Sequence, residues 1–226
     1  MTKGKLIIIE SGTDGSGKAT QTQKLYDKLI ANGKNVRKIT FPNYDSPACM
    51  PVKMYLNGEF GRNPEDVNAY TASTFYAIDR FASFKNDWGD FYNSGGIIVS
   101  DRYTTSNMVH QAVKMQDSNE REKYLNWLYE LEFELYGLPK PDCVVFLNLS
   151  PSISKELMRG RANKFTGEEQ KDIHECNHEY LVNCYKNSLE IASKYNWNVV
   201  KCNEGEELKS IDCIGDEVYE IVKQYI

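Results

Sequence analysis

The most informative stretch of the chain reads Gly12-Thr13-Asp14-Gly15-Ser16-Gly17-Lys18-Ala19-Thr20. It is preceded by the short apolar run Leu6-Ile7-Ile8-Ile9, which suits a strand buried on both faces. The residues from Lys18 to Ala31 have helical periodicity, and Asn32-Gly33 marks the end of that helix. The stretch therefore joins a buried strand to the start of a helix, as a phosphate-binding loop does.

This glycine-rich stretch matches the pattern G-x-x-x-x-G-K-[ST] at Gly12, Gly17 and Lys18. Glycines let the backbone wrap a phosphate with its amide N–H groups pointing inward, and Lys18 would reach the β- and γ-phosphates of ATP. The last position differs, because Ala19 lacks the hydroxyl that normally binds Mg²⁺. We expect Thr20 to contact the α-phosphate, and water to fill much of the magnesium shell. The predicted ATP-binding residues are Gly12, Thr13, Asp14, Gly15, Ser16, Gly17, Lys18, Ala19 and Thr20.

Strand and helix patterns alternate along the chain without an internal repeat or a long linker. Apolar, β-branched runs predict strands over residues 6–9, 36–41, 95–100, 143–147 and 197–202. Helical spacing predicts helices over residues 18–31, 47–57, 65–85, 104–114, 119–136, 151–161, about 170–195 and 208–226. Strands separated by helices pair in parallel through right-handed crossovers. We therefore predict an α/β, three-layer P-loop NTPase fold in a single domain, residues 1–226, with a five-stranded parallel sheet flanked by helices.

The composition of the chain indicates which kinds of partner and which cellular compartment to expect. The chain has 226 residues and a formal net charge of -5, so we expect no basic face and no nucleic-acid partner. Its 6 cysteines include no Cys-x-x-Cys pair, which indicates reduced thiols rather than a zinc ribbon. The N-terminal apolar run is too short for a signal peptide, and no segment approaches the length of a membrane span. These features predict a cytoplasmic protein that does not contact a membrane.

The end of the third predicted strand carries a second group of polar residues. Ligands of parallel α/β sheets bind beyond the carboxyl ends of the strands, and this strand ends in Asp101-Arg102-Tyr103. An acid near a phosphate-binding loop is well placed to hold a magnesium-bound water, so Asp101 is the candidate metal residue. Arg102 beside it can form a two-pronged bond to a phosphate.

The ordered set of these motifs resembles the thymidylate kinase family. The resemblance rests on Gly-x-Asp-Gly-x-Gly-Lys-x-Thr-Gln (12–21), Phe41-Pro42, Phe75-Tyr76-Ala77-Ile78-Asp79-Arg80, and Asp101-Arg102-Tyr103 with Ser106-Asn107. It covers nearly the whole chain. It implies transfer of the γ-phosphoryl group of ATP to dTMP with Mg²⁺, by a homodimer.

The resemblance also implies roles for the acceptor side. Asp14 matches the acid that bonds the 3′-hydroxyl, and Arg102 matches the arginine on the acceptor phosphate. Tyr76 matches the aromatic that stacks on thymine, Arg80 the arginine that reaches thymine O4, and Asn107 a residue at the thymine edge. The remaining residues expected to line the acceptor side are Phe41, Tyr44, Ser106 and His110.

A mobile LID is implied for residues 159–169. Some members of the family carry a catalytic arginine in the phosphate-binding loop, where this chain has Gly15. Members with glycine there supply the charge from the LID, so Arg159 and Arg161 are candidates, with Lys164 in reserve. Together with Lys18 and Arg102, the two LID arginines are the expected catalytic residues.

Two departures from the family pattern concern the acceptor side. Ser11 stands where an acid often precedes the loop glycine, although Glu10 is adjacent. His110 stands where an aromatic is usual near the deoxyribose, which leaves the discrimination between ribose and deoxyribose open.

Three alternative functions stay open on the sequence alone. The same fold serves kinases for dUMP, UMP or CMP, although Tyr76 and Arg80 favour a thymine-like pyrimidine. His174-Glu175-Cys176-Asn177-His178 spells H-E-x-x-H, the pattern of a zinc-dependent hydrolase, but no further signature of that class follows. A non-enzymatic nucleotide switch would not need the residues of a second nucleotide site.

Overall fold

The computed structural model describes residues 3–13, 15–157, 178–205 and 207–226. A parallel sheet of five strands forms its centre, in the order β2-β3-β1-β4-β5. The strands are β1 (Lys5–Glu10), β2 (Val36–Thr40), β3 (Ile97–Asp101), β4 (Cys143–Asn148) and β5 (Asn198–Lys201). A short antiparallel hairpin, β6 (Asn203–Glu204) with β7 (Glu207–Leu208), follows the last strand and was not expected from the sequence.

The apolar run in β1 explains why this strand lies at the centre of the sheet. Leu6, Ile7, Ile8 and Ile9 are all fully buried. Leu6 and Ile8 belong to one hydrophobic core and Ile7 and Ile9 to another, as the alternation of side chains along a strand requires. The sheet therefore has a core on each face, which is what a three-layer arrangement provides.

Helices cover both faces of the sheet. They are α1 (Lys18–Ala31), α2 (Met50–Leu56), α3 (Ala69–Ser83), α4 (Gly89–Asn93), α5 (Thr104–His110), α6 (Ser118–Tyr129), α7 (Pro151–Leu157), α8 (His178–Lys194) and α9 (Ile211–Val222). Leu25 of α1 and Val218 of α9 pack in the core with Ile7 and Ile9. The other core is rich in aromatic side chains, including Trp88, Tyr103 and Tyr124.

The structure confirms the predicted α/β fold with its five parallel strands and flanking helices. The predicted helix 65–85 begins later, at Ala69, after a 3-10 turn over Pro64–Asp66. The predicted helices 65–85 and 119–136 both continue into wide π-helical turns, Phe84–Trp88 and Glu130–Leu135. The predicted helix 104–114 ends at His110, and a 3-10 turn over Ala112–Lys114 follows.

Several predictions fall outside the described residues. The LID over 159–169 lies there, as do the ends of two predicted helices and most of the 174–178 pattern. Within the described residues, no helix is long and apolar enough to cross a membrane.

Candidate active site

The phosphate-binding loop lies where the sequence predicts it, between the carboxyl end of β1 and the first residue of α1. Gly15 and Gly17 have φ values of 74° and 83°, in the left-handed region that side chains with a Cβ avoid. Gly12 is constrained by packing instead. A Cβ at this position would lie 2.1 Å from Ser188 Oγ of α8, so only glycine fits between the loop and that helix.

The amine of Lys18 is held inside the loop. The residue is 7% exposed, and its Nζ donates to Ser11 Oγ at 2.8 Å and to the Thr13 carbonyl at 3.2 Å. Ser16 Oγ bonds Ser11 Oγ at 2.7 Å and so extends the same cluster. These oxygens are neutral, so a phosphate that offers charged oxygens would compete well for the ammonium.

The two residues after Lys18 are both exposed at the start of α1. Ala19 and Thr20 therefore lie on the solvent side of the loop, next to the position where a nucleotide phosphate would bind. The buried hydroxyl of Thr22 is not available to a ligand, because it donates to the Lys18 carbonyl at 2.8 Å. Thr20 is thus the hydroxyl of this first turn that a ligand can reach.

The end of β3 brings Asp101 and Arg102 beside this loop, because β1 and β3 are neighbours and Ile9 pairs with Asp101. Asp101 Oδ1 is buried and has no hydrogen-bond partner among the described residues. Arg102 has φ 67°, and its amide donates to the Ile9 carbonyl at 3.2 Å. A bulky residue rarely adopts this conformation, which is typical of functional positions.

The Arg102 guanidinium lies between an acid and a histidine. Its Nη1 is 3.8 Å from Glu10 Oε1 and 3.1 Å from His110 Nε2. The side chain is 19% exposed, so part of the guanidinium faces the surface. His110 therefore contacts the arginine that is expected to bind the acceptor phosphate.

Arg80 lies in a different environment, inside the helical layer. It is 1% exposed and forms a two-pronged ion pair with the fully buried Glu132, with bonds of 2.7 Å from Nε and 2.6 Å from Nη2. Nη1 makes a longer contact of 3.4 Å with the Tyr103 carbonyl. Thr104 Oγ1 also donates to Glu132 at 2.6 Å. Nη1 has no carboxylate partner among the described residues, so a contact with thymine stays a prediction for that edge of Arg80.

Two further titratable groups, Asp79 and Lys114, are largely buried in the helical layer. Asp79 is buried next to Arg80, and its Oδ2 accepts from the Asn43 amide at 2.8 Å. Burial raises the pKa of Asp79, while the Asn43 amide and Arg80 partly oppose that rise. Lys114 donates to the Val67 carbonyl at 2.8 Å and to Tyr55 Oη at 3.0 Å. Burial lowers the pKa of Lys114 to about 8.

Comparison with known proteins agrees with this geometry. The family model of the thymidylate kinases matches residues 9–209, most of the chain. The chain belongs to the thymidylate kinase family. It is 34% identical to the thymidylate kinase of Mycobacterium tuberculosis over 163 residues, which cover 72% of this chain and 74% of the relative. It is 25% identical to the thymidylate kinase of Homo sapiens over 217 residues, which cover 96% and 88%.

A solved structure of a thymidylate kinase from Candida albicans has the same fold. It superposes with a TM-score of 0.69 at 22% identity, and covers 98% of this chain and 92% of that one. Membership of the thymidylate kinase family favours a kinase over a zinc-dependent hydrolase. In the described part of the chain, His, Cys, Asp and Glu side chains form no group of three that could hold a metal.

The remaining residues expected in a thymidylate kinase site are partly buried in the core. Phe41 is 4% exposed, and its ring centroid lies 5.9 Å from that of Tyr103. The peptide bond between Phe41 and Pro42 is cis. Tyr76 is half-buried on α3 and meets Tyr55 edge-on at 6.5 Å. Tyr44 packs partly buried in the same small core as Tyr76. Their contacts with an acceptor stay predictions.

Asn107 and Ser106 occupy the first turns of α5. Asn107 is buried and its Nδ2 has no partner among the described residues, which suits a donor reserved for a ligand. The Ser106 hydroxyl donates to Glu10 Oε2 at 2.6 Å instead of pointing at an open site. Asp14, Arg159 and Arg161 lie outside the described residues, so their roles stay predictions.

Glu10, Glu132 and Lys114 are three further charged residues of this region that no sequence motif identifies. In the sequence Glu10 is simply the acid next to Ser11, yet in the structure its buried carboxylate contacts Arg102 and α5. The signal was available, because an acid that ends a fully apolar strand is costly to bury without a purpose. Glu132 and Lys114 gave no such signal, since each lies in an ordinary polar helical pattern.

Proposed function

We propose that the protein is an ATP-dependent thymidylate kinase, which transfers the γ-phosphoryl group of ATP to dTMP and releases dTDP and ADP. The observation that carries the proposal is that the loop ending at Lys18 follows β1, and Arg102 follows β3, so both cations lie beyond the carboxyl ends of two adjacent strands. One cation thus serves each of two phosphate groups. A nucleotide switch needs only the first of them, and the family membership agrees with a kinase.

The chemistry needs little beyond positioning and charge. An oxygen of the acceptor 5′-phosphate attacks the γ-phosphorus, and the bond between that phosphorus and the β–γ bridging oxygen breaks. A phosphate monoester is already an anion near neutral pH, so no strong general base is required. The ammonium of Lys18 exchanges its neutral partners Ser11 and Thr13 for phosphate oxygens and stabilises their charge.

Asp101 is the residue that would hold Mg²⁺. The fit rests on its buried Oδ1, which has no hydrogen-bond partner among the described residues. A single carboxylate is enough for Mg²⁺, which prefers oxygen ligands and keeps several waters and phosphate oxygens around it. When bound, the ion would neutralise charge on the β- and γ-phosphates. Because Ala19 supplies no hydroxyl, Asp101 would act through a bound water.

The acceptor site is proposed on the side of α3 and α5. Arg102 would bind the acceptor phosphate, Tyr76 would stack on the base, and the buried amide of Asn107 would donate to its edge. The Nη1 edge of Arg80 lies in the same layer and would serve thymine O4. His110, which contacts Arg102, would lie near the sugar. The remaining acceptor residues of this proposal are Asp14, Phe41, Tyr44 and Ser106.

The LID would close over this site and exclude water that would otherwise hydrolyse ATP. Arg159 and Arg161 within residues 159–169 are the proposed source of the additional positive charge at the transferring phosphoryl group. They take the place of the loop arginine that Gly15 does not provide.

A homodimer in the cytoplasm is the proposed state of the enzyme. Three large apolar side chains are exposed: Ile78 on α3 and Tyr129 at the end of α6, each 42% exposed, and Leu135 in the turn that follows α6, which is 71% exposed. These side chains are the candidates for the dimer interface, which is itself proposed from membership of the family. The buried thiols of Cys49, Cys143 and Cys202, whose pKa values burial raises to about 12, agree with a reducing compartment.

The test is ADP formation from ATP and Mg²⁺ with a panel of acceptors: dTMP, dUMP, UMP, dCMP, AMP and thymidine. We expect dTMP to give the highest kcat/KM. A preference for UMP or another monophosphate would keep the phosphate-binding loop but assign the chain to a different acceptor. Phosphorylation of thymidine itself would remove Arg102 from its proposed role, since thymidine has no phosphate to bind.

A further inference from the structure

Glu10 ends β1, and its side chain lies between the two halves of the site. It is fully buried, and both carboxylate oxygens are engaged. Oε1 accepts from the Ser11 amide at 3.0 Å and lies 3.8 Å from Arg102 Nη1. Oε2 accepts from Thr105 Oγ1 at 2.7 Å and from Ser106 Oγ at 2.6 Å.

These contacts join three separate pieces of the active site. Ser11 begins the phosphate-binding loop, Arg102 follows β3, and Thr105 and Ser106 form the first turn of α5. Oε2 accepts from the hydroxyls of two successive residues, Thr105 and Ser106, so the carboxylate is tied to the first turn of α5. Glu10 therefore fixes the start of α5 with respect to the loop as well as the arginine between them.

Arg102 needs such support. Its φ of 67° places a long side chain in a backbone conformation that costs free energy and persists only where the surroundings hold it. The Ser100 hydroxyl donates to the Arg102 carbonyl at 2.5 Å, and the Arg102 amide donates to Ile9, so the backbone is fixed on both sides. The carboxylate of Glu10 attracts the guanidinium at the far end of the side chain.

Burying a carboxylate is expensive even when hydrogen bonds compensate it, so a simple structural role would be filled better by an apolar residue. The acid also lies one residue earlier than the family pattern provides, since Ser11 occupies the usual position. Its oxygens point toward Arg102 and α5, whereas the Ser11 hydroxyl points into the loop toward Lys18.

We propose that Glu10 is a positioning residue for the acceptor phosphate: it holds the Arg102 guanidinium in its binding orientation and fixes the start of α5. The proposal rests on the proposed function, in which Arg102 binds that phosphate. Glu10 does not itself touch the acceptor, because four groups of the protein surround its carboxylate.

The decisive variant is Glu10→Gln, which keeps the size of the side chain and removes its charge. We expect the KM for dTMP to rise about tenfold, the loss typical of one charge-assisted contact, while the KM for ATP changes less than about twofold. Glu120→Gln makes the same chemical change in an exposed ion pair with Lys123 and is the matched control. A parallel rise of both KM values would indicate a general loss of structure and would overturn the proposal.

Binding of dTMP and of thymidine separates positioning of the phosphate from shaping of the base pocket. Glu10→Gln should weaken dTMP by about tenfold and thymidine by clearly less, because only dTMP carries the phosphate, whereas both ligands use the base-edge contact of Asn107 on α5. Equal weakening of both ligands would contradict a role through Arg102. If Glu10→Gln does not fold, Glu10→Asp keeps the charge but moves it by one methylene, and the same selective loss for dTMP is expected.

A double-mutant cycle with Arg102→Lys tests the route of the effect. Lysine cannot keep the planar guanidinium contacts, so Glu10→Gln should cost little more dTMP affinity once Arg102 has been replaced. Additive losses would show that Glu10 does not act through Arg102. If the wild-type enzyme binds dTMP but phosphorylates a different acceptor, the proposed function is wrong. The effect of Glu10 on dTMP binding can still be measured with this cycle.

Discussion

Arg102 and Arg80 are both expected to contact the acceptor, but the fold uses them differently. Arg102 follows the carboxyl end of β3, is partly exposed, and its Nη1 lies 3.8 Å from Glu10 Oε1. Arg80 lies within the helical layer, is 1% exposed, and forms two short bonds to the fully buried Glu132. The first guanidinium is partly exposed at the surface, whereas the second is enclosed and paired with a carboxylate from another part of the protein.

The same contrast separates two groups of buried charges. At the carboxyl ends of the strands, Lys18 donates to oxygens of Ser11, Thr13 and Ser16 in the loop. In the helical layer, Arg80 and Glu132 neutralise each other. Replacing a residue of the first group should therefore affect turnover more than stability, and replacing one of the second should do the reverse.

Lys18→Ala gives the largest expected effect. The variant should lower kcat by more than about a thousandfold, because a preorganised charge at the transferring phosphoryl group is lost. Its stability should change by less than about 1 kcal/mol, since Ser11, Ser16 and the Thr13 carbonyl remain hydrogen-bonded to one another. ADP formation and urea unfolding measure the two quantities.

Lys24→Ala, on the same helix, serves as the control for that experiment. Lys24 pairs with Asp212 at the surface, and its loss should leave turnover unchanged. Near-normal turnover of Lys18→Ala would remove the phosphate-binding loop from the mechanism. Unfolding of the same variant would place Lys18 with the structural charges.

Arg80→Ala should show the opposite pattern. Removing the arginine leaves Glu132 buried without its cation, which typically costs about 3 to 5 kcal/mol of stability. Replacing both partners by apolar residues, as Arg80→Met with Glu132→Leu, should recover most of that loss. Urea unfolding of the single and double variants measures the difference. A single variant as stable as the wild type would show that Arg80 is held for a ligand rather than for Glu132.

The sequence allowed the fold and the site at the carboxyl ends of the strands to be predicted more completely than the helical layer. The strand, the glycine-rich loop and the helix Lys18–Ala31 are adjacent in the chain, so local patterns predict them together. Arg80 and Glu132 are 52 residues apart, and no periodicity links them. Similarity to a family gives the position of such an arginine, but the partner of its guanidinium depends on packing across the whole layer.

Replacing Lys114 should give the smallest change in stability. It tests whether a buried cation in the helical layer lowers stability when its partners are neutral oxygens. Burial lowers the pKa of Lys114 to about 8, below its ordinary value of 10.5. Between these two values the unfolded chain binds more protons than the folded one, so the contribution of Lys114 to stability increases as the pH rises. Below about pH 8 both states are protonated, and the full cost of burying the ammonium is present.

The measurement compares the free energy of unfolding of the wild type with that of Lys114→Met. The difference, wild type minus variant, should increase between about pH 8 and about pH 10, by less than about 1.4 kcal/mol per pH unit. Lys123→Met is the control, because Glu120 raises the pKa of the exposed Lys123, and this pair should give no slope in the same range. If the difference in the free energy of unfolding between wild type and Lys114→Met does not change with pH, water reaches the Lys114 ammonium. Lys114 would then behave as an exposed charge and not as a buried donor to Tyr55 Oη.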